Sequence, residues 1–180
     1  MGGLPSASVG RNVQSFTGQH FYSIDKKCRL TIPQRLREGI DREVEGYGFV
    51  ACVGFDGLLY LYTPRAYEQN TPRFDTKAQT SADVRNYMRL THGLREDLEV
   101  DRLGRVLIPE GMLKQFGLAR EASAVIVGAG DHIELWPRER WNTFVQEQLV
   151  KRDETAAKAI AFAQAPAAAP ATAGPPAGSA

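Results

Sequence analysis

The stretch Ser23–Pro33, SIDKKCRLTIP, returns as Glu99–Pro109, EVDRLGRVLIP, so that D-x-x-x-R-x-x-I-P recurs in one register 76 residues further along. At average usage of roughly one residue in twenty for each type, four fixed identities recur by chance on the order of once in 10⁵ positions. A duplication constrains the fold more than any bulk property, because both copies must bury the same pattern in the same way.

The echo continues downstream. Each Ile-Pro is followed by a short apolar helical pattern, PQRLREGI with Leu36 and Ile40, then PEGMLKQF with Met112, Leu113 and Phe116. Proline suits the first helical turn, where its missing N–H has no partner in any case, and Gly117 supplies a C-terminal cap. Two strands follow in each copy: FVACVG aligns with SAVIVG, and LLYLY with HIELW, now 74 residues apart. Asp56-Gly57 and Gly130-Asp131 provide hairpin-turn chemistry between them. TPRAY and PRERW then each start a helix at proline, with Tyr67 and Trp141 in matching places. Each half therefore reads strand, turn, strand, short helix, strand, turn, strand, helix. A half of about 50 residues buries little surface alone, so the two are expected to share one core.

The expected organisation is an extension over 1–15, a first half over 19–66, a helical connection over 67–94, a second half over 95–138, a C-terminal helix over 139–163, and a disordered tail over 164–180. In the connection, residues 75–93 read as a helix that Ser81 could cap, with Val84, Met88 and either Leu90 or Thr91 toward the body. The ending APAAAPATAGPPAGSA has no charge and too little to bury to repay its ordering. The start MGGLPS matches a myristoylation pattern that is short and common; the plainer reading of residues 1–15 is a floppy extension.

At 180 residues, 43% hydrophobic and 24% charged, the bulk of the chain is globular, and its formal charge of +1 argues for no particular partner. The distribution is more telling. Residues 1–40 carry Arg11, Lys26, Lys27, Arg29, Arg35 and Arg37 against only Asp25 and Glu38, a local basic surface compatible with nucleic acid. Cys28 and Cys52 have no CxxC spacing and are expected to be inert packing residues. His20, His92 and His132 are scattered without ligand spacing, so neither a metal nor a cofactor is expected. No phosphate loop, nucleophile elbow or dinucleotide fingerprint is present, which points away from catalysis and a small-molecule substrate. With no leader and no membrane-spanning run, the expected location is the cytoplasm.

Within the repeated phrase, Leu30 and Ile32 share one face of a strand, as do Val106 and Ile108. Period two then sends Arg29 and Arg105 to the opposite face. Asp25 and Asp101 open a tight connection, where a carboxylate accepts backbone N–H bonds and can aim the arginine four residues on. One such pair is usually a surface ion pair worth roughly 0–1 kcal/mol. Two in register, the first beside Lys26 and Lys27, favour recognition of a phosphate or a base edge, to which arginine is suited. Tyr62, Tyr67, Trp136 and Trp141 are expected as core or subunit-contact anchors rather than stacking platforms. Glu134 is expected to pair with a basic residue.

FTGQHFYSIDKKCRLTIP, VDRLGRVLIP and VIVGAGDHIELWPRERW together resemble the MraZ family of bacterial transcriptional regulators, over roughly Phe16 to Leu149. The resemblance implies a mainly β, α+β fold: tandem half-barrels of the SpoVT-AbrB type forming one swapped-hairpin β-barrel. It also implies ring-shaped homo-oligomers, octamer or dodecamer, associated with the nucleoid. The implied partner is double-stranded DNA carrying tandem short direct repeats upstream of the division and cell-wall gene cluster. Carried onto this sequence, the candidate DNA contacts are Lys26, Lys27, Arg29, Arg102 and Arg105. Asp25, Asp101, Gly104, Pro33 and Pro109 are the structural part of the motif. The first copy is expected to meet DNA most directly. Cys28 departs from the family's usual glycine, at a cost of roughly 1–2 kcal/mol if that position takes positive φ, and residues 1–15 precede the family's usual start.

Three rivals are weaker. An antitoxin of the same barrel superfamily typically carries one half-barrel and a charged, apolar-studded tail, whereas here both halves are fused and the tail is Ala/Pro. An enzyme on a related barrel would need a convergent catalytic set. A purely structural ring would leave the doubled arginine without a role.

Overall fold

The computed structural model describes residues 15–74 and 77–164. The expected N-terminal extension and the tail beyond Gln164 lie outside the described residues. In chain order the elements are β1 (Gln19–Ser23), β2 (Arg29–Thr31), α1 (Gln34–Glu38), α2 (Arg42–Glu45), β3 (Phe49–Val53), β4 (Leu59–Tyr62), α3 (Pro64–Asn70), α4 (Ala82–Gly93), β5 (Glu96–Leu98), β6 (Arg105–Leu107), α5 (Glu110–Gln115), β7 (Ser123–Gly128), β8 (Ile133–Pro137), α6 (Arg138–Val150) and α7 (Arg152–Gln164). Packing divides the chain into two units, one running to Trp141 and the other starting at Asn142.

Both copies of the repeat belong to the first unit, and they are interleaved. The hairpins β3–β4 and β7–β8 stay within their own copies. The leading strands do not: β1 pairs with β7 of the second copy, and β5 with β3 of the first. The hairpins meet through β4 and β8, giving a six-stranded antiparallel sheet in the order β1-β7-β8-β4-β3-β5. That order is unchanged when the copies are exchanged. β2 and β6 form a separate two-stranded ribbon centred on Leu30 opposite Val106. The class is thus α+β, with the strand exchange of a swapped-hairpin architecture.

The exchange follows from burial. On one face of the sheet, Phe49, Ala51, Leu59, Leu61, Ala124, Ile126, Ile133 and Leu135 join Leu30, Ile32, Val106 and Ile108 in the main core. On the other face, Val50, Cys52, Tyr60, Val125 and Trp136 gather with Tyr67 from α3, and Tyr62 and Trp141 pack on them. A strand buried on both faces reads as a continuous apolar run, which is how FVACV and SAVIV look. Each fully buried aliphatic side chain stabilises the fold by roughly 1.5–3 kcal/mol, so two thin halves gain most by merging.

Local signals explain the punctuation. In the β3–β4 turn Asp56 and Gly57 both take positive φ, 55° and 65°, with Leu58 N–H donating to the Phe55 carbonyl, a type I′ geometry that matches strand twist. Gly117 sits at φ 70°, with Gly117 and Leu118 N–H donating to the Lys114 and Leu113 carbonyls; this double bond closes α5 as a Schellman motif. Asp41 caps α2 through its bonds from the Glu43 and Val44 N–H groups.

Several expectations need correction. Pro33 and Pro109 occupy the N-cap position of α1 and α5, one residue before the first helical turn. The connecting helix begins only at Ala82, after a 3-10 turn over Ala78–Thr80; Ser81 stands at its N-cap but its side chain makes no capping bond. Arg85 instead donates to the Gln79 and Thr80 carbonyls. Of the two alternatives left open near the end of that helix, Thr91 is the buried one, as that reading allowed, its hydroxyl donating to the Tyr87 carbonyl, while Leu90 is 50% exposed. The single C-terminal helix is two, α6 and α7, broken at Lys151.

Candidate nucleic-acid interface

The two repeated turns have the same internal wiring. Asp25 N–H donates to the Arg29 carbonyl and Cys28 N–H to the Asp25 carbonyl; Asp101, Arg105 and Gly104 repeat this at 2.8 and 2.9 Å. The pattern is a three-residue connection whose last residue must take left-handed φ. Cys28 and Gly104 hold that place, at φ 60° and 77°. The cysteine therefore bears the strain its glycine counterpart avoids, and its side chain is buried in the main core.

The carboxylates organise these turns. Asp25 Oδ1 accepts from the Lys27 and Arg29 backbone N–H groups at 2.8 and 2.9 Å, and Oδ2 accepts from Arg29 Nε at 2.7 Å and pairs with Nη2 at 2.6 Å. Asp101 does the same with Leu103, Arg105 N–H, Arg105 Nε and Nη2 at 2.9, 2.9, 2.8 and 2.6 Å. The arginine side-chain bond, followed by the backbone N–H groups, holds the Asp25 carboxyl down at about 2 and lowers Asp101 likewise.

This lock uses only one side of each guanidinium. With Nε and one Nη2 hydrogen given to aspartate, the end formed by Nη1 and Nη2 keeps three donors in a fixed plane. Arg29 and Arg105 are 31% and 25% exposed at their side chains, so the free ends reach solvent. Both lie on the outward face of the β2–β6 ribbon, Arg29 opposite Leu107 and Arg105 opposite Thr31, while Leu30 and Val106 point into the core. The result is a two-stranded ribbon with two aimed guanidinium groups on one surface. A major groove admits such a ribbon.

The other predicted residues fall around it. Lys27 and Arg102 are exposed at the turn tips. Lys26 is exposed too, with Glu121 at 3.8 Å, a weak surface pair. Pro33 is buried and Pro109 exposed; their carbonyls accept the first N–H bonds of α1 and α5. Tip two carries the exposed Leu103 where tip one carries Lys27. Sequence reasoning counts Arg37 only within the basic surface and does not place it at the second turn, where its Nε donates to the Ile32 carbonyl at 2.9 Å and its guanidinium lies over Gly104. No local signal announces a contact between copies.

Elsewhere, Glu134 faces Tyr60 across β4–β8, accepts from Trp136 Nε1 at 2.8 Å, and has His132 Nε2 at 3.5 Å, an ion-pair rather than a hydrogen-bond distance. Burial pushes the Glu134 carboxyl up, but His132, Trp136 and Tyr60 outweigh it and hold it below its usual range. Burial likewise opposes a charged His132, and Glu134 and Asp131 overcome it. Burial drives the Cys52 thiol up to about 11, consistent with an inert packing residue. Among the described residues, no group of three or more His, Cys, Asp or Glu could hold a metal ion, and no helix is long and apolar enough to cross a membrane.

Comparison with known proteins bears on the whole of this arrangement. A family model described as "MraZ protein, putative antitoxin-like" matches residues 15–89 and 95–163. A "Transcriptional regulator MraZ" from Heliobacterium modesticaldum is 35% identical over 147 residues, 82% of this chain and 98% of the relative. Relatives of the same name from Syntrophomonas wolfei and Pelotomaculum thermopropionicum are 31% and 32% identical, over 78% and 81% of this chain and 94% and 95% of their own. With the duplicated motif, the exchanged strands and a match spanning both copies, this chain belongs to the MraZ family.

Proposed function

We propose that the protein is a sequence-specific DNA-binding transcriptional regulator. It acts as a ring-shaped homo-oligomer on tandem short repeats upstream of the division and cell-wall gene cluster, in the cytoplasm and at the nucleoid. The naming of its relatives as transcriptional regulators supports the regulatory role. The observation that carries the site is the doubled lock, in which Asp25 and Asp101 fix Arg29 and Arg105 and leave their outer donors free. Arg29 contacts guanine bidentately in the major groove, Lys27 and Lys26 take phosphates, and Arg102 and Arg105 serve the second turn.

Assembly supplies the affinity. One subunit presents few cations and grips a single short site weakly. A ring offering the same ribbon repeatedly gains by effective concentration without new contacts. Repeats spaced near one helical turn then stay on one face of the duplex.

The test is a mobility shift on DNA just upstream of the protein's own gene, with one repeat or several. Arg29→Ala should lose about 1–3 kcal/mol per site, and wild type should bind several repeats far more tightly than one. A folded, assembled Arg29→Ala protein with wild-type affinity would remove the assignment.

A further inference from the structure

We propose that Arg37 is a further DNA contact, a phosphate clamp that the first half of the chain lends to the second turn. The inference rests on the DNA reading above and adds to it a residue outside the repeated motif. Arg37 leaves α1, turns back so that Nε donates to the Ile32 carbonyl at 2.9 Å, and lays its guanidinium on the bare face of Gly104. A methyl group on Gly104 would stand 2.5 Å from Arg37 Cζ and 2.6 Å from Nη2. The cation is thus pressed against the residue preceding Arg105, whose Cα is only about 3.8 Å from that of Gly104.

The guanidinium is anchored but not used up. Among the described residues, Nη1 and Nη2 have no hydrogen-bond acceptor and no carboxylate lies within ion-pairing distance. Asp97 and Glu99 line the same surface cleft of about 420 Å³ without pairing with it. A partly buried guanidinium held by Nε offers its outer amino groups to an anion, and phosphate is the anion beside a ribbon docked on a duplex.

The asymmetry of the copies makes the same point. Where tip one has Lys27, tip two has Leu103, so the motif of the second copy is short of one cation. The residue matching Arg37 in the second half is Leu113, fully buried, so no such arginine comes from α5. Arg37 restores to the second turn a cation of the kind the first carries in its own sequence. Gly104 is what lets it approach.

The experiment is fluorescence anisotropy with the full chain across a salt series, on the upstream repeat duplex and on a scrambled duplex of equal length. Arg37→Gln should flatten the slope of log affinity against log salt by about 0.9 for each engaged subunit, equally on both duplexes. The advantage of wild type then shrinks roughly eightfold per tenfold rise in salt. Arg37→Lys keeps the charge but not the fork, and should recover most of that slope. Thermal melting and elution volume establish that both variants fold and assemble. An unchanged slope in Arg37→Gln, or a loss confined to the repeat duplex, would overturn the clamp and leave Arg37 as a mere support of the turn. Absence of binding by wild type to either duplex would bring down the DNA reading itself, and the clamp with it.

Discussion

Replacing Gly104 by alanine puts one methyl group into the contact that joins the two halves at the second turn, and its cost can be worked from three terms. A left-handed φ of 77° costs a non-glycine residue about 1–2 kcal/mol. Alanine reduces the freedom of the unfolded chain and returns about 0.4–1 kcal/mol. The new methyl, 2.5 Å from Arg37 Cζ, forces the guanidinium away and breaks its bond to the Ile32 carbonyl. A hydrogen bond from a charged donor contributes about 1.5–3 kcal/mol. The net loss is about 1.5–4.5 kcal/mol, or about 3–18 °C in Tm at 2–4 °C per kcal/mol for a chain of this size.

The sharper measurement is a double-mutant cycle in urea with Gly104→Ala, Arg37→Ala and both together, at one protein concentration because assembly shifts apparent stability. With Arg37 already absent, alanine at 104 meets no guanidinium and costs only the backbone strain less the unfolded-state gain, about 1 kcal/mol. The coupling should therefore be about 1.5–3 kcal/mol. A coupling below about 0.5 kcal/mol would show that Arg37 and Gly104 stabilise the turn independently, and the account of their packing would fail.

Cys28→Gly, the mirror change at tip one, relieves about 1–2 kcal/mol of strain but gives up a buried thiol and gains unfolded-state freedom worth about 0.5–1 kcal/mol. Its stability should stay within about 1 kcal/mol of wild type by chemical denaturation; a loss above about 3 kcal/mol would mean that the thiol packs more tightly than its strain suggests. In acid, the Asp25 carboxyl, held at about 2 by Arg29, contributes stability that is fully present above its ordinary value near 3.8 and lost as pH falls toward 2. An acid titration of Asp25→Asn should lack that part of the transition, and an unaltered profile would show that the lock is not formed in solution.

The turns were legible in the sequence because their wiring is local. Asp25 and Arg29 lie four residues apart, so a carboxylate at the first place and a guanidinium at the last meet whatever the rest of the chain does. Gly117, Asp56 and Gly57 were legible for the same reason. The pairing of β1 with β7 was not readable from local pattern, since β3 and β7 present nearly the same apolar run, and only the family resemblance implied the exchange. The break at Lys151 has no glycine or proline to announce it. Helix α2 was overlooked although Asp41 and Glu43 are ordinary start signals, because four residues are too few for a hydrophobic period. Arg37 on Gly104 is a contact between distant segments, and no spacing rule reaches it.

Fusion of the copies is what permits this difference. In an assembly of identical half-chains, every substitution at one turn would appear at the other, and an arginine over a glycine would be present twice or not at all. On one chain, position 37 is arginine while position 113 is leucine, and the left-handed place is cysteine in one turn and glycine in the other. The sheet order still maps onto itself, so the shared core fixes both turns in equivalent places. The outward residues are free to diverge, to Lys26, Lys27 and Thr31 on one side and Arg102, Leu103 and Leu107 on the other. An exposed leucine next to a locked arginine suits a base pair with a methyl group, and a pair of lysines suits phosphate. A ribbon built this way presents two chemically different ends, so the docking proposed above would give one subunit a direction on a duplex, which the proposed direct repeats would require.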